Sequence, residues 1–428
     1  MTGTLPPGPW DVVVVGGGPA GILAAGRAAQ EGARVLLLEA MEKPLRKLRI
    51  TGKGRANVTN MRPLEQHLRE IRPDGRFLRQ AFGAFFNADL VALLASEGCP
   101  TRVERGDRVF PESGRAWDAA EALWAWARRQ GAVIAVKARV EGLVVEAGVF
   151  KGLEVAHAGR RERVLAPRCV LATGGLSYPR TGSTGDGLAF AAAAGHRVEA
   201  TRPSLVGLAT RPAFPGAAGL TVRNAELTLW IEGRKKATEF GEADFTERGL
   251  GGAAVLRLSR EAVDALAKGS KVEISLDLKP ALDGPTLAAR LDRERAERGG
   301  GTCAHLLRAF LPPQLVPVFA GELGLAPGSP ASRLQGEAGR RLLALLKDLR
   351  LQVTGHGGWE EAIVTAGGVA LKEVDPRTLA SRRVEGLHFA GEMLDLDANT
   401  GGYNLQIAFS TGWLAGTSAA RAALSSHQ

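Results

Sequence analysis

The amino-acid sequence predicts an α/β fold with a parallel sheet, interrupted by a β-rich, barrel-like insertion and a small helical subdomain. Three observations carry this prediction. Two short apolar runs, 11–15 and 34–39, flank a helical segment, which is the pattern of a βαβ unit. From residue 200 to about 278 the apolar runs become short and strand-like, and Pro and Gly separate them. The segment 387–420 then returns to the strand, glycine and helix order of the first residues.

The length of 428 residues predicts two or three domains. Apolar stripes of helical spacing, such as Leu342, Leu345, Leu346 and Leu349, indicate the helical subdomain. The predicted boundaries are 1–199 for the first part of the α/β domain, 200–283 for the β-rich insertion, 284–350 for the helical subdomain and 351–428 for the end of the α/β domain.

Within the first part, 75–97 and 115–130 have helical composition, and 132–155 alternates apolar and polar residues like a small antiparallel meander. The segment 168–173 is a further apolar run that ends at two glycines, and it predicts another buried strand.

The net charge of +10 comes mostly from arginine, with 43 Arg against 12 Lys. Such a charge makes nucleic acid a candidate partner. The basic residues are scattered in pairs, without a block of five like charges, which argues against nucleic acid and favours a solvated basic surface or an anionic ligand.

Three widely spaced cysteines without a CxxC pair argue against a dithiol centre or a zinc ribbon and fit a reducing compartment. Residues 1–10 lack the basic start and apolar stretch of a signal peptide. The longest apolar runs are far shorter than the ~20 residues of a membrane span. We therefore expect a cytoplasmic protein without a membrane partner.

The first strand is followed by Gly16-x-Gly18-x-x-Gly21, and Glu39 ends the second strand. In a dinucleotide-binding turn the first Gly permits the tight turn, the second lets the backbone approach a pyrophosphate, and the third lets helix and sheet pack closely. An acid placed like Glu39 accepts hydrogen bonds from ribose hydroxyls. The pattern therefore predicts FAD or NAD on a Rossmann-type unit. Its predicted cofactor-binding residues are Gly16, Gly18, Pro19, Ala20, Gly21, Glu39 and Ala40.

The second motif, 47–60, is a polar and glycine-rich segment without apolar periodicity, which predicts a loop. It holds two of the six asparagines of the chain, Asn57 and Asn60. Two interpretations stay open at this point: a surface loop with Asx turns, or a loop that covers the phosphate and flavin end of a cofactor. For the second, the binding residues are Lys47, Gly52, Lys53, Gly54, Arg55, Asn57 and Thr59.

The third motif, 171–187, continues from the buried strand into small residues that leave room for a flat ligand, then into a polar loop and an Ala-rich helix. Its alternative interpretation is a structural strand-to-helix turn. The predicted binding residues are Thr173, Gly174 and Gly175.

The fourth motif, 387–406, again ends a strand at a glycine and an acid, and a glycine pair then opens a helix. Backbone N–H groups at a helix start can hydrogen-bond the pyrimidine edge of a flavin and favour its reduced anion. The two tyrosines of the chain, Tyr178 and Tyr403, fall in the third and fourth motifs. The predicted binding residues are Gly391, Glu392, Asn399, Gly401, Gly402, Tyr403, Asn404, Leu405 and Gln406.

Two negative observations narrow the function. A second GxGxxG after a strand is missing, which argues against a dedicated NAD(P)H domain. The histidines His196, His305 and His356 have no metal-ligand spacing, so we predict no metal site. The residues themselves indicate no catalytic acid or base.

Together the four motifs resemble the bacterial FAD-binding flavoproteins described as aminoacetone-oxidase-like, which include bile-acid enone reductases. The segments that carry the resemblance are G-K-G-R-A-N-V-T-N (52–60), S-Y-P-R-T-G-S-T-G-D-G (177–187), V-T-A-G-G-V (364–369), E-V-D-P (373–376) and T-G-G-Y-N-L-Q (400–406). The resemblance covers nearly the whole chain. It implies a glutathione-reductase-like domain that binds FAD noncovalently, a barrel-like insertion and a helical cap.

The chain departs from the family pattern at three positions. Ala56 stands where the family has Cys, Glu247 where it has His, and Ala398 where it has Gly. These departures leave the FAD site intact, but they prevent the transfer of a substrate or a catalytic acid.

We expect an FAD-dependent oxidoreductase acting on a small organic substrate, by amine oxidation or by reduction of an enone C=C bond, with transient NAD(P)H or O2 as redox partner. We expect the substrate to enter between the FAD domain and the insertion. The alternatives are a flavoprotein that modifies RNA and a non-catalytic FAD-binding protein.

Overall fold

The computed structural model describes residues 4–298 and 300–425. The chain divides into two contact units: one comprises residues up to Arg202 and from Ile363 onward, and the other comprises Pro203–Ala362. The first unit contains all four motifs, and the second unit is a single insertion into it.

The strands and helices are numbered in the order in which they occur along the chain. The strands are β1 (Val12–Val15), β2 (Val35–Glu39), β3 (Thr59–Asn60), β4 (Ile71–Arg72), β5 (Thr101–Glu104), β6 (Arg108–Pro111), β7 (Val133–Val136), β8 (Ala138–Glu146), β9 (Val149–His157), β10 (Arg160–Leu165), β11 (Arg168–Leu171), β12 (Val198–Ser204), β13 (Leu208–Arg211), β14 (Thr221–Ile231), β15 (Arg234–Phe245), β16 (Gly249–Gly251), β17 (Val272–Asp277), β18 (Leu349–His356), β19 (Val364–Val369), β20 (Leu387–Phe389) and β21 (Asp397–Ala398). The helices are α1 (Pro19–Gln30), α2 (Arg46–Gly54), α3 (Leu64–Glu70), α4 (Arg79–Ala84), α5 (Asn87–Ser96), α6 (Ala116–Arg129), α7 (Asp186–Ala193), α8 (Ala253–Ala267), α9 (Gly284–Arg298), α10 (Cys303–Leu307), α11 (Val316–Glu322), α12 (Gly336–Lys347) and α13 (Tyr403–Ser425).

A five-stranded parallel sheet forms the centre of the first unit, in the order β20-β11-β1-β2-β7. Its central strand β1 consists of four valines, all buried, which suits a strand covered on both faces. The predicted strands 11–15, 34–39 and 168–173 match β1, β2 and β11 to within two residues. The α/β fold class is confirmed.

Helices α1 and α13 pack against each other at very close range. A Cβ on Gly412 or Gly416 would overlap the backbone of Ala20 or Ala24. Alanine on one helix and glycine on the other therefore allow the two backbones to approach. Because α1 begins at the Gly-rich turn, this contact fixes the direction of the first motif.

The predicted meander 132–155 is only partly correct. β8, β9 and β10 form a three-stranded antiparallel sheet, but Val133–Val136 pairs in parallel with β2 and extends the central sheet. Alternation alone could not separate this edge strand from the hairpin that follows it.

The second unit contains a closed barrel in the order β13-β16-β15-β14-β17-β18. Helices α9 to α12 lie in the chain between β17 and β18, and apolar residues of the barrel and of the helices share one core. The predicted boundary at 350/351 is therefore displaced, because Leu349–His356 pairs with β13 and β17. Leu349 belongs to this strand and not to the helical stripe.

One stretch, Gly75–Ser96, has the length and mean hydropathy (1.2) of a membrane span, a property that core helices of soluble proteins share. It is not one continuous helix. Phe85 has an extended backbone, with φ −159° and ψ 114°, and it separates α4 from α5.

Because His388 is buried, we expect the free energy of unfolding to decrease at acidic pH. It lies on β20, is 3% exposed, and burial lowers its pKa to about 4, with Arg168 acting in the same direction. An unfolded histidine takes up its proton near pH 6.5, so the unfolded state binds more protons between these values and stability falls as the pH drops through them. The linkage amounts to about 3 kcal/mol at most.

We expect His388→Leu to lose less stability than the parent between pH 7 and pH 4, measured by urea unfolding at each pH. The matched control is His305→Leu, on the partly exposed face of α10. An equal acid sensitivity in His388→Leu and the parent would contradict the assignment.

Candidate functional site

The four motifs meet at one edge of the parallel sheet, where β1, β2, β11 and β20 all end. The first and third approach each other where a Cβ on Gly16 would lie 2.6 Å from the Ala172 carbonyl oxygen. The first and fourth approach where a Cβ on Gly391 would lie 2.9 Å from the Ala20 Cβ. Lys47 of the second motif donates to the Ser177 hydroxyl of the third, at 2.7 Å. Segments far apart in sequence therefore form one site.

The Gly-rich turn has the geometry that a pyrophosphate requires. Gly16 has φ +98°, and a Cβ on Gly21 would overlap the Gly16 carbonyl oxygen, so both positions exclude larger residues. Among the described residues, none would come within 4 Å of a Cβ on Gly18, and none caps the start of α1 with its side chain. The turn is therefore open at the point where the helix N-terminus presents its N–H groups.

Glu39 lies at the end of β2 and faces this turn. Its carboxylate accepts hydrogen bonds from the Gly17 N–H (2.6 Å) and the Met41 N–H (2.7 Å). Burial raises the pKa of Glu39, and the two backbone N–H groups partly offset this. Each oxygen keeps a lone pair for a further donor, which suits a ribose hydroxyl. The next residue, Ala40, is exposed.

Replacing Glu39 by alanine should lower the affinity for FAD at least about tenfold, since hydrogen bonds to a charged group contribute about 1.5–3 kcal/mol each. Equilibrium titration of the apoprotein with FAD measures this. The matched control is Glu42→Ala, whose carboxylate is 62% exposed and carries the same charge. Equal FAD dissociation constants for Glu39→Ala and the parent would show that the acid does not bind the cofactor.

The second motif is not the loop that its composition predicts. Residues 46–50 form a helical turn anchored by buried Leu48, and Thr51, Gly52 and Lys53 then leave helical geometry. Gly52, Lys53 and Gly54 have φ of +58°, +57° and +83°. The sequence does not predict this helical turn, because Leu48 is its one buried apolar residue and polar residues outnumber it.

Asn57 carries an unsatisfied group in this segment: its Oδ1 is buried and has no protein partner among the described residues. Such an orphaned acceptor indicates a donor that the protein does not supply. Unlike Asn57, Arg55 has partners within the protein. It pairs with Glu104, and its guanidinium stacks on the Phe110 ring, 4.3 Å from the ring centroid.

A charged network joins the second, third and fourth motifs. Glu392 accepts from Lys47 Nζ (2.9 Å), from the Ser177 hydroxyl (2.8 Å) and from the Thr365 backbone N–H (2.6 Å). The Thr365 hydroxyl oxygen in turn accepts from the Leu176 N–H at 2.8 Å. Lys47 and Glu392 are each 20% exposed, so the pair is largely shielded from water. Both carboxylate oxygens of Glu392 are engaged.

Sequence reasoning missed two members of this network as site residues, Ser177 and Thr365. Both fall inside segments that carry the family resemblance, which was the signal that could have identified them. Thr173 and Gly175 lie beside it: the Thr173 hydroxyl contacts Met393 Sδ at 3.0 Å, and a Cβ on Gly175 would overlap Thr365. A Cβ on Gly174 would lie 3.2 Å from Ser183 Oγ.

Several polar side chains of the fourth motif form hydrogen bonds with other residues of the protein. The Asn404 side chain bonds the backbone of Ala398, Gln406 accepts from the Thr59 hydroxyl at 2.5 Å, and Asn399 donates to Glu70 at 2.7 Å. These side chains therefore shape the site through contacts within the protein. Leu405 is half-buried at the start of α13.

Tyr403 is buried and packs edge-on against His67, with ring centroids 4.8 Å apart. Its hydroxyl accepts from Arg62 at 3.4 Å, and burial raises the pKa of the phenol. The preceding glycines have φ of +131° (Gly401) and +99° (Gly402), and the Gly401 carbonyl accepts from Asn60 at 3.0 Å. This turn joins the second motif to the fourth.

These residues fit an FAD. The open turn at Gly18 and the uncapped start of α1 suit the pyrophosphate, Glu39 suits the ribose, and the orphaned Asn57 Oδ1 awaits a donor. Among residues 4–298 and 300–425, no group of three or more His, Cys, Asp or Glu is arranged to hold a metal ion.

The second unit has a pocket of its own, with a volume of about 330 Å³. Its wall includes Glu247, His356 and the ion pair Arg248–Glu361 at 2.7 Å. The His356 Nδ1 lies 2.7 Å from the Gly357 carbonyl oxygen, so in the neutral ring the proton lies on Nδ1 and Nε2 is an acceptor. Glu247 is the residue that stands at the family's usual His. The pocket is therefore lined by an imidazole, two carboxylates and a guanidinium that is paired with one of them.

A comparison with models of protein families shows to which family the chain belongs. The model described as the HI0933-like protein Rossmann domain matches residues 10–418. The chain belongs to this family. The resemblance predicted from the four motifs is thus confirmed at the level of the family, and the chain is an FAD-dependent oxidoreductase.

Two relatives match the chain over nearly its full length. The 3-dehydro-bile acid delta(4,6)-reductase of Clostridium scindens is 33% identical over 412 residues, covering 95% of this chain and 98% of the relative. The ribosomal RNA dihydrouridine synthase of Escherichia coli is 30% identical over 406 residues, covering 94% and 96%.

Solved structures share the fold at low identity. A 3-ketosteroid-delta4-(5alpha)-dehydrogenase from Rhodococcus jostii RHA1 superposes with a TM-score of 0.50 and 18% identity, covering 96% of each chain. A quinol-fumarate reductase gives a TM-score of 0.52 at 18% identity, covering 97% of this chain and 72% of the other. At these identities the similarity concerns the fold alone.

Proposed function

We propose that this FAD enzyme reduces a carbon–carbon double bond conjugated to a carbonyl group. The observation that carries the proposal is that two full-length relatives with different named substrates have this chemistry in common. The delta(4) and delta(6) double bonds of such a 3-dehydro bile acid are both conjugated with its 3-keto group. Dihydrouridine is uridine with its ring double bond saturated next to a carbonyl. The common step, rather than either substrate, is what we transfer to this chain.

When bound and reduced, FAD would supply hydride chemistry for one carbon of the double bond, and the other carbon would take a proton that comes ultimately from solvent. The residues of the chain would bind and orient the cofactor. Gly16, Gly18, Gly21 and Glu39 would hold its ADP half, and backbone N–H groups at the start of α13 would face its ring system. The network around Glu392 joins the second, third and fourth motifs and would keep these segments in place around the ring.

The electron donor in this proposal is NADH or NADPH, bound transiently, because the sequence has one dinucleotide turn that FAD itself uses. We propose a cytoplasmic location, where such donors are available. Amine oxidation with O2 remains an alternative hypothesis, but neither full-length relative described above is named an amine oxidase.

Anaerobic reoxidation of the reduced holoenzyme tests the proposal. The enzyme is reduced with NADPH, freed from excess donor and mixed with a 3-keto-4-ene steroid, a small cyclic enone, or a uridine-containing RNA. We expect at least one acceptor to restore the absorbance of the oxidised flavin. The matched acceptors are the same molecules with the double bond already saturated, which should leave the flavin reduced.

Reduction of the oxidised flavin by a primary amine, without reoxidation by any conjugated acceptor, would overturn the proposal in favour of the oxidase. A flavin that no donor reduces at a useful rate would favour the non-catalytic alternative.

A further inference from the structure

The segment 42–55, which includes helix α2, is basic: it has six Lys and Arg against one acid. Four of the six pair with a carboxylate: Arg46 with Glu42, Lys47 with Glu392, Arg49 with Glu121 and Arg55 with Glu104. The other two, Lys43 and Lys53, are exposed, and neither has an ion pair within residues 4–298 and 300–425. The segment therefore carries positive charge that no carboxylate of the described residues balances, and such charge attracts an anion.

Arg49 has hydrogen-bond donors that the described part of the chain does not satisfy. Its side chain is 9% exposed, and its Nη1 donates to Glu121 of α6 at 3.1 Å. Its Nε and Nη2 groups are buried and have no acceptor among the described residues. Buried donors normally have an acceptor, so these two indicate one that the protein does not supply.

The two unsatisfied nitrogens of Arg49 belong to the same edge of the guanidinium. Elsewhere in this protein that edge holds both oxygens of a carboxylate: Arg34 donates from Nε (3.0 Å) and Nη2 (2.8 Å) to the two oxygens of Asp11. A phosphate offers two oxygens in the same way. The Nε–Nη2 edge of Arg49 therefore suits an oxyanion.

Trp117 lies over this guanidinium and is accessible from solvent. The centroid of its ring is 3.8 Å from Arg49 Cζ and 5.3 Å from Lys43 Nζ, so two cations meet at one indole. Trp117 is the second residue of α6 and is 47% exposed, so its ring can turn outward without breaking the helix and uncover the edge of Arg49. An exposed aromatic ring beside cations is also a surface on which a nucleobase stacks.

A ligand that satisfies these groups needs an oxyanion and an aromatic ring close together. The adenosine half of NADPH has both, because a phosphate monoester is attached to the ribose that carries the adenine. NADH has the adenine but lacks this 2′-phosphate. An arginine near the end of the second strand is the usual means of accommodating that phosphate.

We propose that Lys43, Arg49 and Trp117 form the binding site for the 2′-phosphoadenosine end of NADPH. The phosphate binds to the Nε–Nη2 edge of Arg49 and to the Lys43 ammonium, and the adenine stacks on Trp117. The inference rests on the proposed function, in which a nicotinamide nucleotide reduces the flavin, and it names NADPH rather than NADH as that donor. Such a site uses side chains of α2 and α6 and needs no second Gly-rich turn.

The first test requires no turnover. The oxidised holoenzyme is titrated by calorimetry with 2′,5′-ADP and with 5′-AMP, two probes that differ only in the 2′-phosphate. The variants are Lys43→Gln, Arg49→Lys and Trp117→Ala. The matched control is Lys151→Gln, because Lys151 on β9 of the same unit is also exposed and without an ion pair among the described residues. Flavin absorbance and the melting temperature show whether each protein is folded.

We expect the parent to bind 2′,5′-ADP at least ~10-fold more tightly than 5′-AMP, because the 2′-phosphate adds charge-assisted hydrogen bonds. Arg49→Lys keeps the charge but loses the two-donor edge, so it should weaken 2′,5′-ADP binding ~10-fold and leave 5′-AMP binding unchanged. Lys43→Gln should weaken 2′,5′-ADP binding by only ~3-fold, because an exposed charge is screened by water.

Trp117→Ala separates the base from the phosphate. Both probes contain adenine, so this variant should weaken both of them to the same extent, by ~5-fold or more. Lys151→Gln should bind both probes like the parent. Equal affinities of the parent for the two probes, or an Arg49→Lys protein that binds them like Lys151→Gln, would overturn the inference.

The second test compares the two donors by anaerobic stopped-flow reduction of the flavin. We expect the parent to need less NADPH than NADH for half-maximal rate, and Arg49→Lys to lose this preference while its reduction by NADH stays unchanged. A parent that is reduced equally well by both donors over the same concentrations would contradict the proposed site.

Photoreduced holoenzyme distinguishes a failure of this site from a failure of the proposed function, because light and a sacrificial donor reduce the flavin without a nicotinamide nucleotide. If photoreduced enzyme reduces an enone and the 2′-phosphate does not tighten binding, the NADPH site fails and the proposed function stands. If Arg49→Lys selectively weakens 2′,5′-ADP binding and photoreduced enzyme reduces no conjugated acceptor, the site stands and the proposed function fails.

Discussion

Replacing Gly402 by alanine should prevent most of the protein from accumulating as a folded, FAD-bound form. Gly402 has φ +99°, and a Cβ there would lie 2.5 Å from the Thr59 carbonyl carbon and 2.9 Å from the Thr59 Cα. The Thr59 backbone cannot move out of the way as a flexible side chain can, so the whole of β3 would have to shift. Strain and overpacking together amount to roughly 2–5 kcal/mol, a large part of the stability of a typical domain.

The matched control is Gly98→Ala. Gly98 also has a positive φ, +74°, but no described residue would come within 4 Å of a Cβ there. Gly98→Ala therefore measures the cost of the backbone conformation alone. We expect its cost to be about 1 kcal/mol. Yield, FAD occupancy and melting temperature distinguish the two variants. A Gly402→Ala protein as stable as Gly98→Ala, and with the same FAD occupancy, would contradict the close approach to Thr59.

The sequence suggested a different role for Gly402, in which its N–H stabilises the reduced flavin. A redox titration of whatever holo fraction remains tests that hypothesis separately. Loss of one hydrogen bond to a charged group, ~1.4 kcal/mol, corresponds to ~30 mV for a two-electron couple. A midpoint potential within a few millivolts of the parent would leave only the steric role.

Replacing Glu392 by glutamine should be the second most damaging change. Lys47, Ser177 and the Thr365 N–H all donate to this carboxylate, and glutamine offers one oxygen in place of two. Removing one member of a fully buried ion pair costs 3–5 kcal/mol, and the 20% exposure of this pair reduces the figure to about 2 kcal/mol. We expect a lower free energy of unfolding and weaker FAD binding, measured by urea unfolding and FAD titration.

A double-mutant cycle shows whether the pair acts as a unit. Lys47→Met combined with Glu392→Gln should cost less than the sum of the two single changes, because the second change removes a charge that the first left unpaired. The matched control is Arg163→Met, which breaks the Arg163–Glu154 pair, with side chains 56% and 59% exposed. We expect that control to unfold like the parent. Strictly additive costs would mean that Lys47 and Glu392 are energetically independent.

Elements that are buried on both faces could be predicted from the sequence. The four valines of β1 and the apolar run of β2 admit few other structures, since a fully apolar stretch this short must be covered on both sides. By contrast, Arg234–Phe245 forms one of the barrel's longest strands although it begins with three basic residues. Pairing with β14 and β16, rather than its own composition, makes it a strand.

The location of the site could be predicted from the sequence, but which of its side chains form hydrogen bonds with other parts of the protein could not. Gly16, Gly21 and Glu39 lie where a dinucleotide turn requires them, because their roles are set by local backbone geometry. The engagement of Asn404 and Gln406 with Ala398 and Thr59 depends on how distant segments meet. No spacing in the sequence reveals such contacts, and for that reason the Lys47–Glu392 network emerges only from the fold.

The most direct test of the central claim is the identity of the product formed in a single anaerobic turnover. The holoenzyme is reduced with NADPH, separated from excess donor and mixed with one equivalent of a conjugated acceptor, and the product is analysed by mass spectrometry. The proposed chemistry predicts a product heavier by two hydrogens, formed in step with flavin reoxidation and saturated at the bond next to the carbonyl. A flavin that stays reduced, with every conjugated acceptor recovered unchanged, would contradict it.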